Sequence, residues 1–419
     1  MNWKNICIEE VCSVKGGKRL PAGHMLTDKI TPHPYIRARD IREGKINFTD
    51  PKYITEETHK TIKRYVINEG EIIITIVGAN IGDIAYVSSE FDGANLTENA
   101  VKLKAKSGIL HSIFLKYALL PGHAKEYMQM IASGSAQGKL GLYKIKKLTI
   151  PFPPFQIQQK IAEILSSYDE LIENNLKRIK LLEETAQITY EEWFVRLRFP
   201  DHESTPINPE TRLPEGWQTK AISTICDVNK NSINARSAPE KIRYIDISSA
   251  ETGYYTTPQE MPFSEAPSRA RRRVAFGDTI FSTVRPNRRI FSLVLENDPL
   301  LVASTGFAVL TPHRAQNFPF IYLTIAQQSF TDAAVGVAGG AAYPAVNQTD
   351  LERIKITVPT QELMNKFSDS FVPNFNIKGQ LQRENELLRE ARDILLPRLM
   401  TGVIDVESYD PAQLLKVAA

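Results

Sequence analysis

Cysteine and histidine are scarce in this chain of 419 residues, which has 3 cysteines and 7 histidines. Cys7, Cys12 and Cys226 have neither the spacing of a metal site nor the even number of a disulfide framework, which fits a reducing compartment. The histidines, among them His33, His59, His111 and His123, stand singly, and a lone histidine is more often a surface or packing residue than a ligand. No apolar run approaches the length of a membrane span, and the opening MNWKNICIEE carries acid too early for a secretory leader. The expected place is the cytoplasm, away from membranes. A formal net charge of +3 announces no polyanionic partner, so any such signal must be local.

Signatures of catalysis are missing as well. Gly134 to Lys139 reads GSAQGK, one residue short of a phosphate-binding loop and followed by Leu140. Gly336, Gly339 and Gly340, within AVGVAGGAAY, lack the acidic partner and the strand-turn-helix setting of a dinucleotide site, and read as a flexible loop. No Asn-Pro-Pro-aromatic or Asp-Pro-Pro-Tyr segment occurs, since IPFPPF around Pro153 lacks the polar residue that would hold an amino group. These absences predict a chain with no catalytic residue, metal or cofactor of its own.

What is present is a duplication. Gly70-Glu71 opens an apolar run that reaches Asn80, and Gly277-Asp278 opens one that reaches Asn287, about 207 residues further on. Leu96-Thr97 answers Ala303-Ser304, Leu103 answers Leu310, LTIP ending at Pro151 answers ITVP ending at Pro359, and Lys160 to Leu181 answers Lys366 to Leu387. Trp3 and Cys12 answer Trp217 and Cys226 at a slightly longer offset. Short strand patterns such as Glu71 to Val77 and Ile84 to Val87 share the first half with a helical stretch near Ser112 to Ile131, so each half is mixed. The expected fold is α+β, with two mixed α/β domains in tandem at 1–150 and 217–358. Long helices follow at 151–199 and 359–400, a Pro-rich linker occupies 200–216, and a tail runs over 401–419.

Each long helix carries a heptad. Leu165, Ile172, Ile179 and Ala186 recur every seven residues, with Tyr168, Asn175, Leu182 and Thr189 three places after each. Asn175 reads either as a tolerated blemish or as a residue that sets register. On the second helix Phe367, Leu381, Leu388 and Leu395 share a row interrupted by Asn374, with Phe371, Ile377 and Ala391 beside it. Helices of this length extend about 60 Å. Their apolar stripes are expected to face each other as an antiparallel coiled coil with a pseudo-two-fold internal repeat, because a globular domain separates them in sequence. Glu173, Lys177, Lys180, Glu183 and Glu184 are expected on the outward face of the first.

Local charge is the remaining signal. Between Arg269 and Arg289 there are 7 arginines, Arg269, Arg271, Arg272, Arg273, Arg285, Arg288 and Arg289, against one acid, Asp278. Planar guanidinium forks with almost no balancing acid suit phosphate and guanine edges. The cluster reads as a nucleic-acid contact or else as a solvated face, and Arg285 and Arg289 are the leading contacts expected, because they follow a strand and Pro286 fixes the local backbone. Lys15, Lys18 and Arg19, with Arg37, Arg39 and Arg42, form a looser counterpart interleaved with Asp40 and Glu43. The loop Gly78-Ala79-Asn80-Ile81-Gly82 answers Arg285-Pro286-Asn287-Arg288-Arg289, which places Asn80 and Asn287 among the residues expected to face nucleic acid.

With these residues in view, the chain resembles the specificity subunit of type I restriction-modification enzymes over nearly its whole length. The resemblance rests on SRARRRVAFGDTIFSTVRPNRR from Ser268, EGEIIITIVGANIGD from Glu69, and GSAQGKLGLYKIKKLTIPFPPFQIQQKIAEIL from Gly134. The second junction, PAVNQTDLERIKITVPTQELMNKF from Pro344, keeps only Pro359 of the usual Pro-Pro pair, so its helix start is less sharply fixed. The resemblance implies two target-recognition domains, each reading one half of a bipartite site in double-stranded DNA, spaced by the two helices. It also implies two methyltransferase subunits docked on those helices, which carry S-adenosylmethionine and methylate adenine, and restriction/translocase subunits that join for cleavage. Two other readings remain, a self-contained DNA methyltransferase with a fused recognition domain and a non-catalytic coiled-coil scaffold. The missing amino-binding motif weighs against the first, and the arginine cluster against the second.

Overall fold

The computed structural model of the chain describes residues 3–132, 138–234, 238–340 and 344–406. Most of GSAQGK, the end of AVGVAGGAAY and the greater part of the tail 401–419 lie outside the described residues. The chain forms two compact units, Met1–Glu173 with Glu386–Ala419, and Asn174–Asn385. Each long helix therefore contributes one end to each unit, a division that differs from the linear order of domain and helix. No helix among the described residues is long and apolar enough to cross a membrane.

In the first unit a four-stranded antiparallel sheet runs in the order Cys12–Gly16, Ala100–Ala105, Ile72–Thr75, Ile84–Tyr86. Ile72 and Ile74 enter one core with Val101, Leu103, Phe114 and Leu115, while Ile73 enters another with Ile36, Ala85 and Ala100. Strand side chains alternate faces, so an unbroken isoleucine run is what a strand buried on both sides requires. The expected helix near Ser112 to Ile131 is two, Ser112–Leu119 and Gly122–Ala132, separated at Pro121, which has no N–H to continue the first.

The second unit repeats this sheet as Cys226–Val228, Phe307–Pro312, Thr279–Ser282, Phe291–Leu293. Thr279 pairs with Leu310 as Ile72 pairs with Leu103, and Tyr244 lies parallel to Val302 as Tyr35 lies to Asn95. A slip of one residue would turn every side chain to the wrong face, so equal register is a stronger statement of duplication than sequence likeness. One buried pair has diverged. Glu71 receives Lys102 at 3.0 Å, whereas at the matching positions the buried Asp278 lies opposite no lysine, because residue 309 is valine. Burial raises the Asp278 carboxyl, and hydrogen bonds from the Thr311 hydroxyl and the Ala275 N–H offset this only in part.

The first long helix spans Phe155–Tyr190 and ends in a π-turn, Glu191–Val195; the second spans Gln361–Met400. Pro154 accepts the N–H groups of Ile157 and Gln158 at the start of the first. The second starts with one proline fewer, and there the Thr360 hydroxyl accepts the Leu363 N–H at 3.3 Å, a side-chain cap in place of the second ring. In the first unit Ile161, Leu165 and Tyr168 share a core with Leu396, Leu399 and Met400. Beside them the Asp169 carboxylate receives Lys116 at 2.6 Å, Tyr117 at 2.7 Å and Arg392 at 2.7 Å. Burial acts to raise this carboxyl, but the Lys116 ammonium, then Arg392 and Tyr117, outweigh it and hold Asp169 at about 2.

In the second unit the Asn175 amide donates to Asn385 at 3.1 Å and Lys378 donates to Glu183 at 2.6 Å. The first helix rises in number while the second falls, so the two segments run antiparallel. Leu165, Ile172, Asn175, Ile179 and Leu381 are buried, and Leu182, Leu388 and Leu395 half-buried. Ile377, expected beside the seam, is exposed. The more deeply buried row of the second helix passes through Met364, Phe371, Lys378, Asn385 and Leu399, and its polar members hide it from a search for apolar periodicity. Glu183 is half-buried and held by Lys378, whereas Glu173 is exposed and pairs with Lys45 at 3.2 Å.

Two outcomes test this account. Asp169→Asn leaves the buried Lys116 without its counter-charge and should cost about 3–5 kcal/mol of stability at neutral pH. Because the native carboxyl is depressed, the difference should be full above its ordinary 3.8 and vanish as pH falls through about 2, read from denaturant unfolding across pH. Asn175→Leu alone strands the Asn385 amide and should cost about 1–3 kcal/mol, while adding Asn385→Leu should recover most of it. A double variant no more stable than the single would refute the pairing.

Candidate nucleic-acid interface

The arginine-rich strand Ala270–Arg273 lies at the edge of a second sheet of the same unit, next to Leu301–Ser304. A bulge between Ala270 and Arg272 breaks strict alternation, and Arg271, Arg272 and Arg273 are all half-buried. The other arginine run leaves the central strand Thr279–Ser282 as a loop with a short helical turn, Pro286–Arg288. One turn, Thr305-Gly306, is hydrogen-bonded both to the start of the first run and to Thr283, two residues before the second. The Thr305 N–H donates to the Arg269 carbonyl at 2.8 Å, and the neighbouring Gly306 carbonyl accepts the N–H and hydroxyl of Thr283 at 2.9 Å.

Each guanidinium has its own setting. Arg269 and Arg288 are exposed, as is Asn287, and Arg285 is half-buried. Arg271 stacks 5.0 Å from the ring centre of Phe263 and donates to the Ala270 carbonyl at 2.9 Å. Arg272 donates to Ser232 at 3.2 Å, its Nε is buried without a partner, and burial lowers its pKa. Arg289 turns inward to the Gln328 side chain and the Ala326 carbonyl. Among the described residues Arg269, Arg271, Arg272, Arg288 and Arg289 form no ion pair with an acid. A partly buried guanidinium without a counter-charge is a standing site for an anion.

The first unit differs. Lys15 is exposed, and Lys18 is exposed with its ammonium 5.7 Å from the ring centre of Tyr65. Arg19 is paired with Glu98 at 2.8 Å. Arg37 is consumed by Asp40 at 2.8 Å and Asp50 at 3.3 Å, and Arg39 lies 3.5 Å from Asp50. Asn80 is half-buried, and its carbonyl accepts the Asp83 N–H within the loop. The loop has left-handed residues at matching positions in both units but not the same chemistry. Gly78 and Gly82 have φ of 91° and 88°, and the matching Arg285 and Arg289 have φ of 52° and 56°. Left-handed backbone is easy for glycine and costs an arginine about 1–2 kcal/mol. Gln328 escaped the sequence reading, since nothing local links it to Arg289 across 39 positions. No group of three or more His, Cys, Asp or Glu among the described residues is placed to hold a metal.

Comparison with known proteins accounts for the repeat. The profile of the type I restriction modification DNA specificity domain matches twice, at residues 1–184 and 214–387. The chain belongs to this family. A specificity subunit of this kind recognises DNA sequence and leaves catalysis to partner subunits, which sets aside both the self-contained methyltransferase and the protein-only scaffold. Similar relatives include the type I restriction enzyme MjaIX specificity subunit of Methanocaldococcus jannaschii, 24% identical over 89% of this chain and 87% of that one. Another is the HindI specificity subunit of Haemophilus influenzae, 21% identical over 88% of this chain and 94% of that one. The crystal structure of the S subunit of a type I restriction-modification system from M. genitalium has the same fold, with a TM-score of 0.61 over 96% of both chains at 17% identity.

If Arg272 is held ready for a phosphate, Arg272→Met should keep the packing of its stem while lowering DNA affinity. The slope of log affinity against log salt should fall by about one unit. The melting temperature should not drop, because the native guanidinium is half-buried without a counter-charge. An unchanged salt slope would remove Arg272 from the interface.

Proposed function

We propose that this specificity subunit reads a split, asymmetric target in double-stranded DNA, one half with each mixed domain, and so directs adenine methylation and restriction by its partners. The observation that carries the reading is the edge of the second unit, where, among the described residues, no acid is paired to Arg269, Arg271, Arg272, Arg288 or Arg289 and one turn ties the Arg269 backbone and that of Thr283, just ahead of Arg285. Acid-free guanidinium groups serve phosphate contact, and those at a loop tip serve the donor and acceptor pattern of base edges. Asymmetry follows from divergence on a shared frame. A loop of glycine, alanine, asparagine and isoleucine in one unit offers base edges different groups from a loop with Asn287 and Arg288 exposed in the other.

In this reading two methyltransferase subunits dock on the long helices and bring S-adenosylmethionine, restriction/translocase subunits join for cleavage, and the assembly acts in the cytoplasm. Exposed charge on the first helix, such as Lys180 and Glu184 at 3.7 Å, supports a polar docking face. The helices also act as the ruler between the half-sites, because B-DNA repeats about every 34 Å and a stiff spacer converts helix length into a gap.

Methylome sequencing of strains with and without this chain should reveal one split adenine-methylated motif with unlike halves that depends on it. Inserting one heptad into both long helices, which preserves the seam, should widen the gap and leave both half-sequences intact. Altered half-sequences with an unchanged gap would show that the helices are not the ruler.

A further inference from the structure

We propose that Arg289 is a positioning residue, and that the side chains the loop offers to DNA are those of Asn287 and Arg288. The inference deepens the reading of the second unit as a DNA-recognition domain and assigns its specificity to two residues at the loop tip.

The loop is bent by left-handed residues at both ends, Arg285 and Arg289, where the first unit uses Gly78 and Gly82. Glycine would adopt this backbone without strain, so two arginines there need something to hold them. At Arg289 the restraint is visible. Its two terminal nitrogens donate to the Gln328 side-chain oxygen and the Ala326 carbonyl, both at 2.5 Å, and its own carbonyl accepts the Thr252 hydroxyl at 2.7 Å. Gln328 opens the helix Gln328–Val337 and is itself fixed by donating to Asp332 at 2.8 Å. Arg289 thus latches the end of the loop to a helix, with its fork aimed into the protein.

The first unit braces the same loop from the matching helix with other groups. There the Gln129 side chain donates to the Ile81 carbonyl at 3.2 Å, and Lys125 pairs with Asp83 at 2.5 Å. A brace that recurs while its chemistry changes indicates that holding the loop is the shared requirement. Between the two left-handed residues Pro286 is buried, and Asn287 and Arg288 are exposed with no side-chain partner among the described residues. These are the residue types that read adenine and guanine edges through paired hydrogen bonds. A loop set before binding loses less entropy on contact, which sharpens discrimination.

The test uses the full complex with its modification subunits, and measures DNA affinity against salt together with the methylated motif. Arg289→Gly suits the left-handed backbone and removes only the latch; Gln328→Ala removes its acceptor. Each should weaken target binding about tenfold or relax base preference in one half-site, with the salt slope unchanged, and the double variant should add little to either. Arg288→Ala should lower the salt slope by about one unit or change base choice in that half-site, and Asn287→Ala should change base choice there. A salt slope lowered by Arg289→Gly with Gln328→Ala silent would make Arg289 a DNA contact and overturn the latch. Arg288→Ala and Asn287→Ala variants that bind and methylate like wild type would overturn the tip assignment. Failure of the wild-type complex to recognise any split site would instead sink the DNA-recognition reading itself.

Discussion

The packing of both long helices depends on polar groups that cannot be buried without a partner. An amide or charge removed from water is costly unless it meets a complementary group, and an apolar seam alone tolerates sliding that a polar pair does not. In the second unit Asn175 meets Asn385 and Glu183 meets Lys378; in the first, Asp169 gathers Lys116, Tyr117 and Arg392. Shifting either helix by one residue would strand several of these groups at once. The apolar contacts supply most of the burial, while the polar pairs select one register from those that burial would allow.

On this fixed frame the two units have diverged where divergence is cheap. Strand register is the same in both central sheets, because each central strand is buried on two faces. Turns and edges carry no such constraint. The turn that bears Glu98 in the first unit bears Thr305 in the second, so Arg19 is neutralised where Arg269 is not. Duplication followed by change at the rim yields two domains of one architecture with different surfaces, which suits a task that needs two different readings by one mechanism.

The repeat, both helix spans and the arginine cluster were legible because each is a local or periodic signal. The offset between Ile72 and Thr279 is also the offset of their sheet registers, so sequence similarity carried topology with it. Three features were not legible, each for a physical reason. The deeply buried row of the second helix contains Lys378 and Asn385, whose burial depends on partners some two hundred positions away. Arg37 stands in a basic set already interleaved with Asp40, and only the fold adds Asp50 to its partners. The left-handed backbone of Arg285 and Arg289 could be inferred only from their glycine counterparts, since arginine itself gives no sign of positive φ.

The first unit is made of two segments separated by the whole of the second, and this orders their folding. Leu396, Leu399, Met400 and Val406 belong to the same core as Ile8, Val11 and Cys12, whereas the second unit is one uninterrupted segment, Asn174–Asn385. During synthesis at about 5–20 residues per second, the amino-terminal half waits on the order of ten seconds or more for its last helix, while the later-made unit has all its parts first. Through that interval the apolar faces of Ile161, Leu165 and Tyr168 lack part of their cover. The first unit therefore closes after the second, and a ribosome that stalls before Leu396 leaves Ile161, Leu165 and Tyr168 without that cover.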